Sequence, residues 1–201
     1  IENIKELNNT KDINLSLDGE RLEPPVFNLS YDQYENIDVN LKIVEIYRKI
    51  YPELNQKFKI KEKNKKIKIG FISEFFSNHT IGKLFKGIIL NLDNEKFQIY
   101  VFHSHKTDKS SIFQEFLKAE KNSNIKNIIL SKNFQKSVDE IVQKNLDIVF
   151  FPDIGMSSEF YFLSFIRFAK IQITSWGHPI TTSNKSSLIL IEVNKGGDAI
   201  S

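Results

Sequence analysis

The sequence has no cysteine, which excludes disulfides, thiolate zinc sites and a cysteine nucleophile. No run of about eighteen apolar residues is free of charge, so a membrane-spanning helix is excluded. Neither a G-x-G-x-x-G fingerprint nor a P-loop occurs. Nicotinamide or flavin dinucleotide binding and P-loop NTP hydrolysis are therefore disfavoured. A dominant charge is missing too. The 28 basic and 25 acidic residues leave +3, too small an excess to argue for nucleic acid. The opening Ile1-Glu2-Asn3-Ile4-Lys5 has no basic-then-apolar pattern, so no secretory signal is expected. It also lacks a starting Met, and the true N-terminus is expected upstream. What is present is 201 residues, 40% hydrophobic and 26% charged, a composition for one or two globular domains.

Organisation follows from punctuation and periodicity. Residues 1–35 read as a polar lead-in broken by Pro24-Pro25. Ile37, Leu41, Val44 and Tyr47 recur at helical spacing, and Pro52 marks the expected helix end. The segment 36–65 thus reads as a connecting helix and linker, with the Lys57–Lys68 run solvated. From residue 66 strands and helices alternate: strands at 67–72, 97–102, 125–130, 148–151 and 171–176, helices at 80–92, 112–121, 134–144 and 160–168. Such alternation predicts an α/β fold, a Rossmann-like doubly wound parallel sheet over 66–183, with strand order 3-2-1-4-5. Residues 184–201 read as an atypical tail.

In such sheets ligands bind beyond the carboxyl ends of the strands. The first such loop holds Asn78 and His79 at the start of a helix. The positive end of a helix favours neutral imidazole, able to accept a proton or donate one; a capping or buried histidine is the alternative. His103 and His105, on one face of a strand, form either a metal pair or two exposed loop histidines. Asp153 ends a buried strand and either contacts a ligand or holds its loop. Gly155 permits a tight turn, and Ser157 or Ser158 caps the next helix. The last loop, Trp176-Gly177-His178-Pro179-Ile180-Thr181, offers backbone N–H groups and short donors that suit phosphate or sugar oxygens.

Three segments in this order resemble the catalytic region of the O-linked N-acetylglucosamine transferase and SPINDLY-like family. They are Ile69-Gly70-Phe71-Ile72-Ser73 through Ser77-Asn78-His79, Leu146-Asp147-Ile148-Val149 into Gly155, and Ile171-Gln172 with Trp176-Gly177-His178-Pro179. The helix after Pro24-Pro25 resembles the element that joins the family's tetratricopeptide repeats to the catalytic part. The strings Pro-x-x-Gly-Met and Gly-His-Pro-x-Thr-Thr also resemble the bacterial N-glucosyltransferase branch. A family histidine near strand three has no match in Asn124-Ile125-Lys126-Asn127.

The resemblance implies one lobe, the N-terminal one, of a two-lobed GT-B glycosyltransferase. It implies inverting transfer of a sugar, N-acetylglucosamine being expected, from a UDP-sugar donor to Ser/Thr of a protein acceptor. It implies no bound metal and no cofactor beyond the donor. His79 takes the catalytic position. Asn78, Asp153, Gly177, His178, Pro179 and Thr181 take substrate-binding positions. Upstream tetratricopeptide repeats, a C-terminal lobe and a cytoplasmic setting are expected, with no nucleic acid and no membrane span. The chain alone is expected to be inactive. Transfer to Asn, or a non-catalytic α/β ligand-binding module, remain the alternatives.

Overall fold

Strand β1 (Ile67–Ser73) lies inside a parallel sheet, paired with β2 (Phe97–His103) on one side and β4 (Ile148–Phe151) on the other. The computed structural model describes residues 15–18, 37–59, 65–175 and 188–190. The sheet has six strands in the order β3-β2-β1-β4-β5-β6, all parallel, where β3 is Ile125–Ile129, β5 Ile171–Thr174 and β6 Leu188–Leu190. The expected order of the first five strands holds. The sixth strand is an addition: Leu188–Leu190, placed by sequence in an atypical tail, pairs with Gln172–Thr174.

Period-two alternation explains the two cores. Ile69 and Phe71 point to one face with Ile99 and Val101, and there meet Ile81, Phe85 and Ile89 of α2 (Thr80–Leu90) and Ile112 and Phe116 of α3 (Ser111–Asn122). Ile72, Phe102, Val149 and Phe151 point to the other face. There they meet α1 (Ile37–Ile50), α4 (Phe134–Val142) and α5 (Ser158–Leu163) through Val44, Tyr47, Val138, Ile141 and Phe162. Helices therefore cover both faces, as the crossover rule requires. The connecting helix α1 shares a core with the lobe: Tyr47 and Tyr51 lie against Phe162, with centroids 5.2 and 5.4 Å away.

Two of the differences from the sequence reading go beyond a trimmed end and bear on the site. Helix α5 covers Ser158–Leu163 where 160–168 was expected. Beyond its end Phe165, Ile166, Phe168 and Ala169 are all buried. Strand β2 extends to His103, which places that histidine inside the sheet. Among the described residues no helix is long and apolar enough to cross a membrane.

Candidate functional site

The chain leaves β1 toward β2 and returns to β4 on β1's other side, so the crevice between these strands is where a doubly wound sheet offers a site. Hydrogen bonds gather three loops there. Ser73 Oγ, at the end of β1, donates to Asp153 Oδ2, just past β4, over 2.9 Å, and accepts the Phe75 N–H at 2.9 Å. Ser157 Oγ donates to Glu74 Oε2. Thr107 Oγ1, from the loop after β2, donates to the Glu74 carbonyl at 3.3 Å. Gly155 has φ 95°, a left-handed turn that an L side chain would strain.

Asp153 is buried. Burial pushes its carboxyl up to about 7, with the Ser73 bond working against the rise and the Glu74 charge adding to it. A carboxyl with that environment exchanges a proton near neutrality.

His79 is the N-cap of α2, its Nδ1 accepting the Ile81 N–H at 3.2 Å. The ring lies on Phe75, centroids 4.6 Å apart. An accepting Nδ1 fixes the neutral tautomer with its proton on Nε2. In this state the ring can donate from Nε2, and it can take a proton only by giving up the cap. Asn78 is exposed in the preceding turn. Gly177, His178, Pro179 and Thr181, with Trp176, lie outside the described residues.

The histidine pair of β2 separates. His103 is fully buried among Phe76, Phe113 and Phe116, with Nε2 3.0 Å from Asn127 Oδ1. The Asn127 amide nitrogen donates to the Phe116 carbonyl and Glu120, so its oxygen faces the ring and His103 Nε2 donates. Burial pulls the His103 imidazole down to about 4. Neither the paired-metal reading nor that of two exposed histidines fits this residue, and among the described residues no group of three ligating side chains forms a metal site. His105 instead has Nδ1 3.8 Å from Glu159 Oε2, a carboxylate in the first turn of α5. Glu159 is buried, its side chain 4% exposed, while that of His105 is 26% exposed.

The serine caps also need correction. Ser157 holds the N-cap position of α5 but makes no side-chain cap bond, because its hydroxyl reaches Glu74. Glu74 and Glu159 were missed in sequence. Glu74 had one signal, its place directly after a strand end. Glu159 had none, since a carboxylate opening a helix reads as solvated.

No family model matches the chain, and no curated protein matches it. Among solved structures, a point mutant of the Thermobaculum terrenum O-GlcNAc transferase superposes with a TM-score of 0.62 at 14% identity. The match covers 80% of this chain and 31% of that one, so the chain spans about a third of that neighbour's length. At this identity the likeness shows the fold: a Rossmann-like α/β lobe like that of a GT-B glycosyltransferase.

Proposed function

We propose that this chain is the N-terminal lobe of an inverting, metal-independent protein glycosyltransferase that uses a UDP-sugar, N-acetylglucosamine being the expected sugar. The observation that carries the reading is the convergence of the loops after β1, β2 and β4 at the switch point, on a lobe of transferase-like fold. In the reaction, an acceptor hydroxyl oxygen bonds to the anomeric carbon while the bond from that carbon to the UDP oxygen breaks. The hydroxyl proton passes to a base on the enzyme. The edge described here is rich in carboxylates: Glu74, Asp153 and Glu159. That charge suits taking a proton and opposes holding a diphosphate, which the resemblance assigns to a second lobe.

His79 then acts as a donor from Nε2 toward an acceptor or sugar oxygen. His105, whose Nδ1 lies 3.8 Å from the buried Glu159 carboxylate, is the second histidine at this edge and serves as the proton acceptor in this reading. The test compares this chain with the product of the uninterrupted reading frame around it. Each is assayed for UDP release and for sugar transfer to peptides carrying Ser, Thr or Asn, with UDP-N-acetylglucosamine and UDP-glucose. Transfer by the longer product and none by this chain is expected, because half a cleft lacks the proximity contribution, worth up to roughly 7–11 kcal/mol. Absence of transfer by the longer product with both donors would refute the reading, and turnover by this chain would refute the two-lobe requirement.

A further inference from the structure

The two faces of the β4–β5 half of the sheet are covered unequally. On the face shared with α1, α4 and α5, Val149, Phe151, Gln172 and Thr174 are at most 2% exposed. On the other face the same strands present Ile148, Phe150, Ile171 and Ile173, in register with Ile69 and Phe71 of β1. Ile148, Phe150 and Ile173 are half-buried, and Ile171 is 41% exposed. The reason is topological. Helices α2 and α3, which link β1 to β2 and β2 to β3, cover that face over the first three strands. Helix α5, which links β4 to β5, lies on the opposite face. A parallel sheet is ordinarily buried on both faces.

Helix α2 adds a wall to this floor. Lys86 marks the side of α2 that faces α3, by pairing with Glu115 over 2.9 Å. Leu84 and Ile88 each lie two residues from Lys86, about 200° round the helix, and so take the opposite flank. Phe85 reaches Phe150 of β4, centroids 5.5 Å apart, which sets β4 on that side of α2. Leu84 is 44% and Ile88 49% exposed, and Ile67, at the amino end of β1 on the same face, is 43% exposed. Of the six exposed large apolar residues among the described ones, four therefore border this one step between helix and sheet. Single exposed apolar residues are ordinary, whereas a contiguous set marks an interaction site. The floor from β4 to β6 is about 10 Å wide, the room that one α-helix of about 10–12 Å needs.

The residues beside these in sequence are mostly basic. Lys66 and Lys68 flank Ile67, Lys83 precedes Leu84 and Lys170 precedes Ile171, against one carboxylate, Asp147 before Ile148. Lys83 and Lys170 are exposed, and Asp147 Oδ2 accepts the Lys68 N–H at 2.8 Å. A floor with one raised wall suits a rod and not a flat membrane, and a second copy would bring a second set of lysines. We propose that this step takes an amphipathic α-helix from a partner protein, its apolar stripe on Leu84, Ile88, Phe150 and Ile171 and its acidic flanks toward Lys83 and Lys170. Such a helix would lie beside α2 as the next member of its layer, with anchors at helical spacing. The proposal stands apart from the transferase reading and survives its failure.

The probe is a synthetic helix of about five turns made of Leu, Ala and Glu, with Leu along one stripe and Glu on both flanks. Its twin carries Lys for every Glu. Both are titrated into the purified chain by calorimetry and by amide chemical shifts. The Glu peptide should saturate, with shifts at residues 84–88, 148–150 and 171–173, and the Lys twin should bind about tenfold more weakly or worse. Ile88→Gln and Ile171→Gln should each weaken the Glu peptide about tenfold. Ile129→Gln, at an exposed apolar position on the far edge strand β3, should leave it unchanged. All three positions are exposed, and circular dichroism checks that the fold is kept. Lys83→Glu should narrow the gap between the two peptides. Lack of saturation, equal binding of the twins, or indifference to both Gln variants on the step would overturn the assignment. A dimer of the chain alone, or binding to anionic lipid vesicles, that Ile88→Gln abolishes would overturn it too, by giving the face to another occupant.

Discussion

Ser73 and Asp153 join the carboxyl ends of β1 and β4 through one buried hydrogen bond of 2.9 Å. The bond closes the crevice at the point where the order of the sheet turns back. It is also the place where one of two titrating groups with opposite effects on stability sits. Asp153 is raised to about 7 in the folded chain and His103 is lowered to about 4.

The first prediction concerns pH. Between about pH 4 and 7 the unfolded chain has released the Asp153 proton while the folded chain keeps it, so this group lowers stability as pH rises. Between about pH 4 and 6.5 the unfolded chain holds the His103 proton while the folded chain excludes it, so this group raises stability as pH rises. The two oppose each other across the shared window. Asp153→Asn removes the first and leaves the second, and each tenfold change in proton affinity on folding is worth roughly 1.4 kcal/mol. Urea melts of Asp153→Asn should show stability climbing from pH 4 to 6.5 more steeply than wild type. They should also show a gain over wild type that is larger at pH 8 than at pH 4. A gain independent of pH would remove Asp153 as the titrating group.

The second concerns His79. Its Nδ1 caps α2, so His79→Ala should lose about 0.5–2 kcal/mol of stability. Asn is a strong N-cap residue, and His79→Asn should hold the fold near wild type. In the longer transferase product, His79→Asn should still lower transfer, because Asn lacks the ring Nε2–H. Wild-type transfer by His79→Asn would leave only capping as the work of this residue.

The third sets two glycines of α2 against each other. A Cβ on Gly82 would lie 2.1 Å from the Ser77 carbonyl oxygen and 3.0 Å from that of Phe75, both backbone atoms. Gly82→Ala should therefore cost at least about 2 kcal/mol and displace the loop that carries His79. A Cβ on Gly87 would meet nothing within 4 Å. Gly87→Ala should add about 0.5–1 kcal/mol, through helix propensity alone. Thermal melts of the pair read both signs, and equal effects would contradict the close approach at Gly82.

The fourth tests whether α1 belongs to the lobe. Phe162 is fully buried and touches Tyr47 and Tyr51 of the α1 segment as well as Phe165. Phe162→Ala should cost about 3–5 kcal/mol and expose amides of α1 and α5 together in hydrogen exchange. Protection lost in α5 alone would mean that α1 is held by other contacts.

The sequence by itself determined the parallel α/β lobe, because its signals are local. Ile69 and Phe71 against Ile72, or Phe85 and Ile89 in α2, announce strand or helix by period, and the crossover rule then orders the strands. It also singled out the strand-end positions, including Asp153 and Gly155, since topology alone makes these the loops of interest. Only the tertiary structure decided what the side chains in those loops do. In sequence His79 reads as a helix-start histidine and His105 as half of a metal pair or an exposed loop residue. A backbone N–H from Ile81 engages one, and a buried carboxylate from a helix more than fifty residues away faces the other. The short strand Leu188–Leu190 was likewise illegible, since three apolar residues carry no period and become a strand only through pairing with β5. Leu84 and Ile171 lie far apart in sequence, and only the packing of α2 on the sheet brings them to one apolar step. Periodicity encodes which face a residue takes, while partners drawn from distant segments are fixed only when those faces close on one another.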